Sequence, residues 1–178
     1  MKDFFELSLR RQSCRNFSKK PIEHDKLMRC VEAGHMAPSA CNSQPWSFVV
    51  AETPEIVAEV AKCGQQMNMN PFLSNAQAFI VVLEEHAVLS PKIRNIMDSQ
   101  YFAKWDLGGA IIQVCLEAET QGLGTCIIGI YDREGLCKHL GIPIEKQIAA
   151  LIAVGYPAED DKIRPKARKP LDEIVRFI

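Results

Sequence analysis

Residues 37–46 read APSACNSQPW: two prolines, four hydroxyl or amide side chains, a thiol and an indole, set between a helical pattern and an apolar run. A helix-to-strand connection needs only a turn signal or two, and Pro38 with Asn42 would already supply them. The surplus polarity admits two readings. Caps and turns would use part of it. A surface for a flat, heteroatom-edged ring would use more, because Ser39, Asn42 and Gln44 offer donors and acceptors on a backbone stiffened by Pro38 and Pro45 and anchored by Trp46.

The flanks of this stretch set the fold class. Before it, Leu27, Met28, Cys30, Val31 and Gly34 form one face of a helix over 25–36, with Asp25 placed to cap it. After it, SFVVA (47–51) reads as a strand. Thr53 and Pro54 then supply a cap and a first-turn proline for a helix over 55–63, closed by Gly64. Further out, residues 3–11 suit a short amphipathic helix, and Pro21 stops anything helical after the polar run Arg10–Arg15. Residues 65–75 are rich in Asn, Met and Gln without a period, a loop or irregular helix. Residues 78–83, 125–130 and 147–155 are apolar, β-branched runs expected to be buried strands. A helical pattern over 91–121, with a break near Tyr101, is mostly apolar in its second half and so belongs in a core or an interface. Residues 133–140 predict a short helix stopped by Gly141 and Pro143, and 174–178 a short terminal strand. Helices and strands alternate, which implies an α+β domain with a central sheet covered by helices. With 178 residues, the chain is expected to be one domain over 1–178.

Bulk properties exclude several classes. Apolar residues make up 47% and charged residues 24%, ordinary values for a globular chain. The net charge of −1 gives no long-range attraction to nucleic acid. No apolar run approaches the roughly 20 residues needed to span a bilayer, and MKDFFELSLRRQ lacks a signal-peptide pattern. Seven cysteines with no Cys-x-x-Cys pair argue for a reducing compartment and against a disulfide framework or a structural zinc site. These readings predict a cytoplasmic protein with no metal.

Two basic clusters stand out. Arg10, Arg11 and Arg15 flank Gln12, Ser13 and Cys14, and guanidinium groups beside a hydroxyl suit a phosphate. The same arginines would also be favourable at a solvated helix end. Lys166 and Arg168, one residue apart, can point to one side of an extended chain. Dinucleotide, Walker, nucleophile-elbow and zincin motifs are absent: Gly122, Gly124 and Gly129 have the wrong spacing and stand before a strand instead of after one.

Taken together, RRQSCRNF (10–17), KPI (20–22), APSACNSQPW (37–46), GLGTCIIG (122–129), AVGYP (153–157) and KARKPL (166–171) resemble the FMN-dependent nitroreductase family, in order and over nearly the whole chain. The resemblance implies a nitroreductase-like fold, with a mostly antiparallel sheet flanked by helices, in an intertwined homodimer holding two FMN at its interface. It implies that Arg11, Ser13 and Arg15 hold the phosphate and the polar flavin edge, completed by Lys166 and Arg168. Pro38, Ser39, Asn42 and Gln44 match the loop that reaches the flavin ring, usually from the partner subunit. Ile128 and Gly129 match the strand end facing flavin N5, and Asn70, or Asn68, an asparagine on the flavin. Gln12 stands where relatives often carry a base and is included among the cofactor residues.

The implied activity is ping-pong reduction of nitroaromatic, quinone or related small acceptors. NADH or NADPH is the donor and flavin N5 the hydride carrier, so no side chain is required as a catalytic acid. The implied lid lies within 65–105, and the terminal segment adds a strand to the partner's sheet. The alternatives are a dehalogenating or azoline-oxidising relative, which would share the cofactor site, and a flavin-binding protein without turnover.

Overall fold

The computed structural model describes residues 3–94, 96 and 98–178. Its elements, in chain order, are α1 (Phe4–Arg10), α2 (His24–His35), β1 (Trp46–Ala51), α3 (Pro54–Gly64), β2 (Ala78–Glu84), α4 (Pro91–Arg94), α5 (Ser99–Thr120), β3 (Gly124–Ile128), α6 (Arg133–Leu140), β4 (Gln147–Gly155) and α7 (Leu171–Ile174). The four strands form one sheet in the order β1-β2-β4-β3, antiparallel at every pairing. β1 and β3 are therefore its edges.

The sheet is buried on both faces, and the alternation along β2 shows how. Phe79, Val81 and Leu83 point into one core with residues of α3 and α6, while Ala78, Ile80 and Val82 point into a second with residues of α2 and α5. β4 does the same with Leu151 and Ala153 against Ala150, Ile152 and Val154. Helices on both faces explain why the central strands read as continuous apolar runs although the sheet is antiparallel. α2 and α5 pack close enough that a Cβ on Gly34 would meet the Val114 side chain at 2.6 Å.

Several expectations are corrected. Asp25 lies inside the first turn of α2, whose N-cap is Glu23 without a side-chain cap bond. Thr53 does precede α3, but its hydroxyl makes no cap bond either. The helical pattern over 91–121 is two helices, and α5 begins at Ser99, where the Asp98 carboxylate accepts from the Gln100 N–H at 3.1 Å. The break thus precedes Tyr101, and residues 95 and 97 of that pattern lie outside the described residues. β3 stops at Ile128, short of Ile130. The final segment carries a helical turn at Leu171–Ile174, so Ile174 is not the first residue of a strand, and 175–178 follow it without pairing to this chain's own sheet. Residues 65–75, by contrast, are the irregular helix expected: two short 3₁₀ turns, with Met67, Asn68 and Asn70 in left-handed conformation.

Gly124 bears directly on the site. A Cβ there would lie 2.7 Å from Cys14 Cβ and 2.8 Å from its Sγ, so only glycine lets the 11–15 run lie flush on β3. Gly124→Val is expected to cost about 1–3 kcal/mol of stability and to lift that run. Urea unfolding checks the first effect, and an unchanged midpoint would show that the run is not held there.

Candidate functional site

α1 ends at Arg10, and the chain leaves it extended along the outer edge of β3. Ser13 bridges Thr125 in parallel sense, and the Cys14 N–H donates to the Thr125 carbonyl at 2.9 Å. Cys14 faces the core, 1% exposed, where burial pushes its thiol up to about 12. Its neighbours Arg11, Gln12, Ser13 and Arg15 remain partly or fully accessible.

The irregular segment after β4 returns to the same run. The Gln12 side-chain amide behaves as a spare peptide group. Its Nε2 donates to the Lys162 carbonyl at 3.3 Å, and its Oε1 accepts from the Arg164 N–H at 3.0 Å. The Arg164 guanidinium donates to the Ser13 carbonyl at 2.6 Å and pairs with Asp161 at 3.1 Å. The Lys166 ammonium donates to the Arg11 carbonyl. Two basic clusters about 150 residues apart in sequence thus wall one cleft, with a cavity volume of about 280 Å³ formed by residues 11–13, 15 and 164–168.

Its electrostatics are unbalanced. Among the described residues, Arg11, Arg15, Lys166 and Arg168 have no carboxylate within 4.0 Å; only Arg164 is paired. Burial first, then the charges of Arg11, Arg168 and Arg164, hold the Lys166 ammonium below the usual lysine value. Like charges gathered without counter-charge beside a serine hydroxyl suit an anion, and a phosphate has the charge and acceptor number to match them. Arg164 escaped the sequence reading. The available signal was the alternation Arg164, Lys166, Arg168, which in extended chain sets three cations on one side.

The 37–46 stretch occupies the opposite edge of the sheet, at the start of β1. Two intervening strands separate it from β3, about 14 Å at ordinary strand spacing, and none of its residues lines the basic cleft. Cys41, Asn42 and Gln44 hold φ angles of 54°, 52° and 49°, left-handed values that non-glycine residues adopt at a cost. Much of the loop's polarity is spent on holding that shape. The Gln44 N–H donates to Ser39 Oγ at 2.9 Å, and Gln44 Nε2 donates to the Asn42 carbonyl at 3.1 Å. Pro38 and the Asn42 side chain face outward, while Trp46 is buried in the core shared with α2 and α5, its indole N–H without a partner among the described residues.

The remaining predicted residues are dispersed. Asn70 sits left-handed at φ 55°, and its Nδ2 donates to the Gly64 carbonyl at 3.1 Å, closing the end of α3. Ile128 is buried at the end of β3, and Gly129 beyond it is exposed, with open space where a Cβ would stand. One chain therefore joins Arg11, Gln12, Ser13, Arg15, Lys166 and Arg168, and leaves Pro38, Ser39, Asn42 and Gln44 on the far edge.

Known proteins share this fold. The Nitroreductase family profile matches residues 9–68 and 62–156. A Thermus thermophilus protein named NADH dehydrogenase is 28% identical over 193 residues, covering 94% of this chain and 92% of its own. A Thermotoga neapolitana iodotyrosine deiodinase is 22% identical over 197 residues, covering 98% and 97%. Among solved structures, a nitroreductase family protein from Streptococcus pneumoniae superposes with TM-score 0.84 at 26% identity, covering 99% of this chain and 100% of that one. An FMN-dependent nitroreductase from Clostridium difficile has the same fold, with TM-score 0.75 at 24% identity and 98% coverage of both chains. With its four-stranded antiparallel sheet between helices, and a profile match running from α1 to the residue after β4, the chain belongs to the nitroreductase family.

Proposed function

We propose that this chain is an FMN-dependent NAD(P)H oxidoreductase that reduces nitroaromatic, quinone or related small acceptors as a homodimer. The observation that carries the reading is the cleft between residues 11–15 and 164–168, with four cations that have no carboxylate partner among the described residues, beside a hydroxyl. At about 280 Å³ it falls below the roughly 300–1,000 Å³ of a whole small-molecule pocket. That size suits the phosphate end of FMN and leaves the ring to be walled by other residues.

In this reading Arg15, Ser13, Lys166 and Arg168 hold the phosphate, while Arg11 adds positive potential towards the flavin edge. Gln12 acts mainly by clipping the C-terminal segment in place. The FMN these residues would hold would supply hydride transfer between NADH or NADPH and the acceptor. Ile128 and Gly129 offer backbone at the strand end, and the exposed Gly129 leaves room for close approach. Pro38, Ser39, Asn42 and Gln44 serve the ring in a second copy's site, which accounts for their distance from the cleft of their own chain. α5 presents Tyr101, Trp105 and Ile112 at helical spacing, 51%, 70% and 41% exposed, a face suited to packing against that second copy.

The test is direct. Purified protein should be yellow, release FMN on denaturation and be reduced by NADH or NADPH. A colourless protein that oxidises neither nicotinamide after FMN is added overturns the reading. The deiodinase among the relatives favours one second reading, reductive dehalogenation at the same site, and a screen of nitroaromatic, quinone and halophenol acceptors separates the two.

A further inference from the structure

The 38–45 loop holds three non-glycine residues in left-handed conformation, and such backbone persists only where its surroundings over-determine it. The bonds that reach the loop from outside identify those surroundings. The Asp106 carboxylate accepts from the Ala40 N–H at 3.1 Å, Ser43 Oγ accepts from the Val88 N–H at 2.7 Å, and the Pro45 carbonyl accepts from the Glu85 N–H at 3.0 Å. The first comes directly from α5. The other two come from residues 85–88, and that segment is itself fixed by α5: the Gln100 side-chain carbonyl accepts from the Ala87 N–H at 2.7 Å, and its amide donates to Glu84 Oε1 at 2.6 Å and to the Glu85 carbonyl at 3.2 Å. Neither Asp106 nor Gln100 lines the basic cleft.

We propose that Asp106 and Gln100, in the first two turns of α5, are positioning residues that hold the 38–45 loop in its ring-facing shape from two sides. The proposal rests on the reading that this loop serves a flavin. Asp106 pins the loop's first turn through the Ala40 amide. Gln100 pins its far side by fixing the segment that carries the Glu85 and Val88 N–H donors. Because both sit on one helix, a displacement of the start of α5 moves both anchors together, and the loop follows as a unit.

The experiment pairs hydrogen–deuterium exchange of the cofactor-free chain with FMN titration by flavin fluorescence. Asp106→Ala should speed exchange of the 38–45 amides by about tenfold and raise the FMN Kd by about fivefold, the range expected for one lost hydrogen bond. Asp106→Asn, whose amide oxygen can still accept from Ala40, should stay within about twofold of wild type in both. Gln100→Ala should loosen residues 38–45 and 85–88 together. A purely structural role in α5 would move exchange within the helix and the thermal midpoint instead, and Asn would not rescue the loop. Unchanged loop exchange in Asp106→Ala and Gln100→Ala overturns the proposal, as does a loosened loop with unaltered FMN affinity. Should Asp106→Ala fail to fold, Gln100→Ala decides alone. A wild-type chain that binds no FMN defeats the flavin reading, while the exchange data still decide whether these two residues hold the loop.

Discussion

Replacing Arg15 or Arg168 by alanine is expected to weaken FMN binding by about 1.5–3 kcal/mol each, roughly one to two orders of magnitude in Kd. Both guanidinium groups border the cleft with no carboxylate within 4.0 Å among the described residues, so their removal costs no ion pair seen there. It also relieves repulsion within the cationic cluster, so the cofactor-free protein should keep its thermal midpoint or gain slightly. That contrast identifies a binding effect. Equilibrium titration of both variants checks it, and unchanged affinity in both would remove the cofactor assignment. Arg164 is a poorer probe: its loss would also strip Asp161 of its ion pair and Ser13 of a carbonyl bond, mixing folding with binding.

The largest stability loss is expected at Phe79→Ala, about 3–5 kcal/mol, or roughly 6–20 °C in thermal midpoint for a chain of this size. Phe79 is fully buried in the core between the sheet and the α3/α6 layer. Its ladder partners are Ala51 on β1 and Ala153 on β4, two small residues that cannot swell to fill the space a ring vacates. Urea unfolding at fixed protein concentration measures the loss. A change below about 1 kcal/mol would mean that the helices collapse onto the gap.

How much of this was legible depended on whether a residue's partners are near in sequence. The pattern at 133–140 and 147–155 carried its own boundaries, because Gly141 and the β-branched run act locally, although the Asp132 cap went unread. The meeting of residues 11–15 with 164–168 has no local signature; the cations were visible, their convergence was not. Gln12 is the sharpest case, since an amide that mimics a peptide group looks like any polar residue until its partner segment is placed. Residues 65–75 resisted for another reason: left-handed turns at Met67, Asn68 and Asn70 have no period to detect. In the terminal segment the helical turn at Leu171–Ile174 was missed, because four residues are too few to show a helical period.

The thiols offer a practical consequence. Six of the seven cysteines are buried, and burial raises the pKa of Cys14 and Cys30 to about 12, so alkylating reagents should pass them by at neutral pH. Cys41 is the exposed one, at the turn of the left-handed loop. The chain on its own therefore carries a single exposed thiol, and a fluorophore attached to it would report when the loop is engaged by a second copy, with no engineered cysteine required.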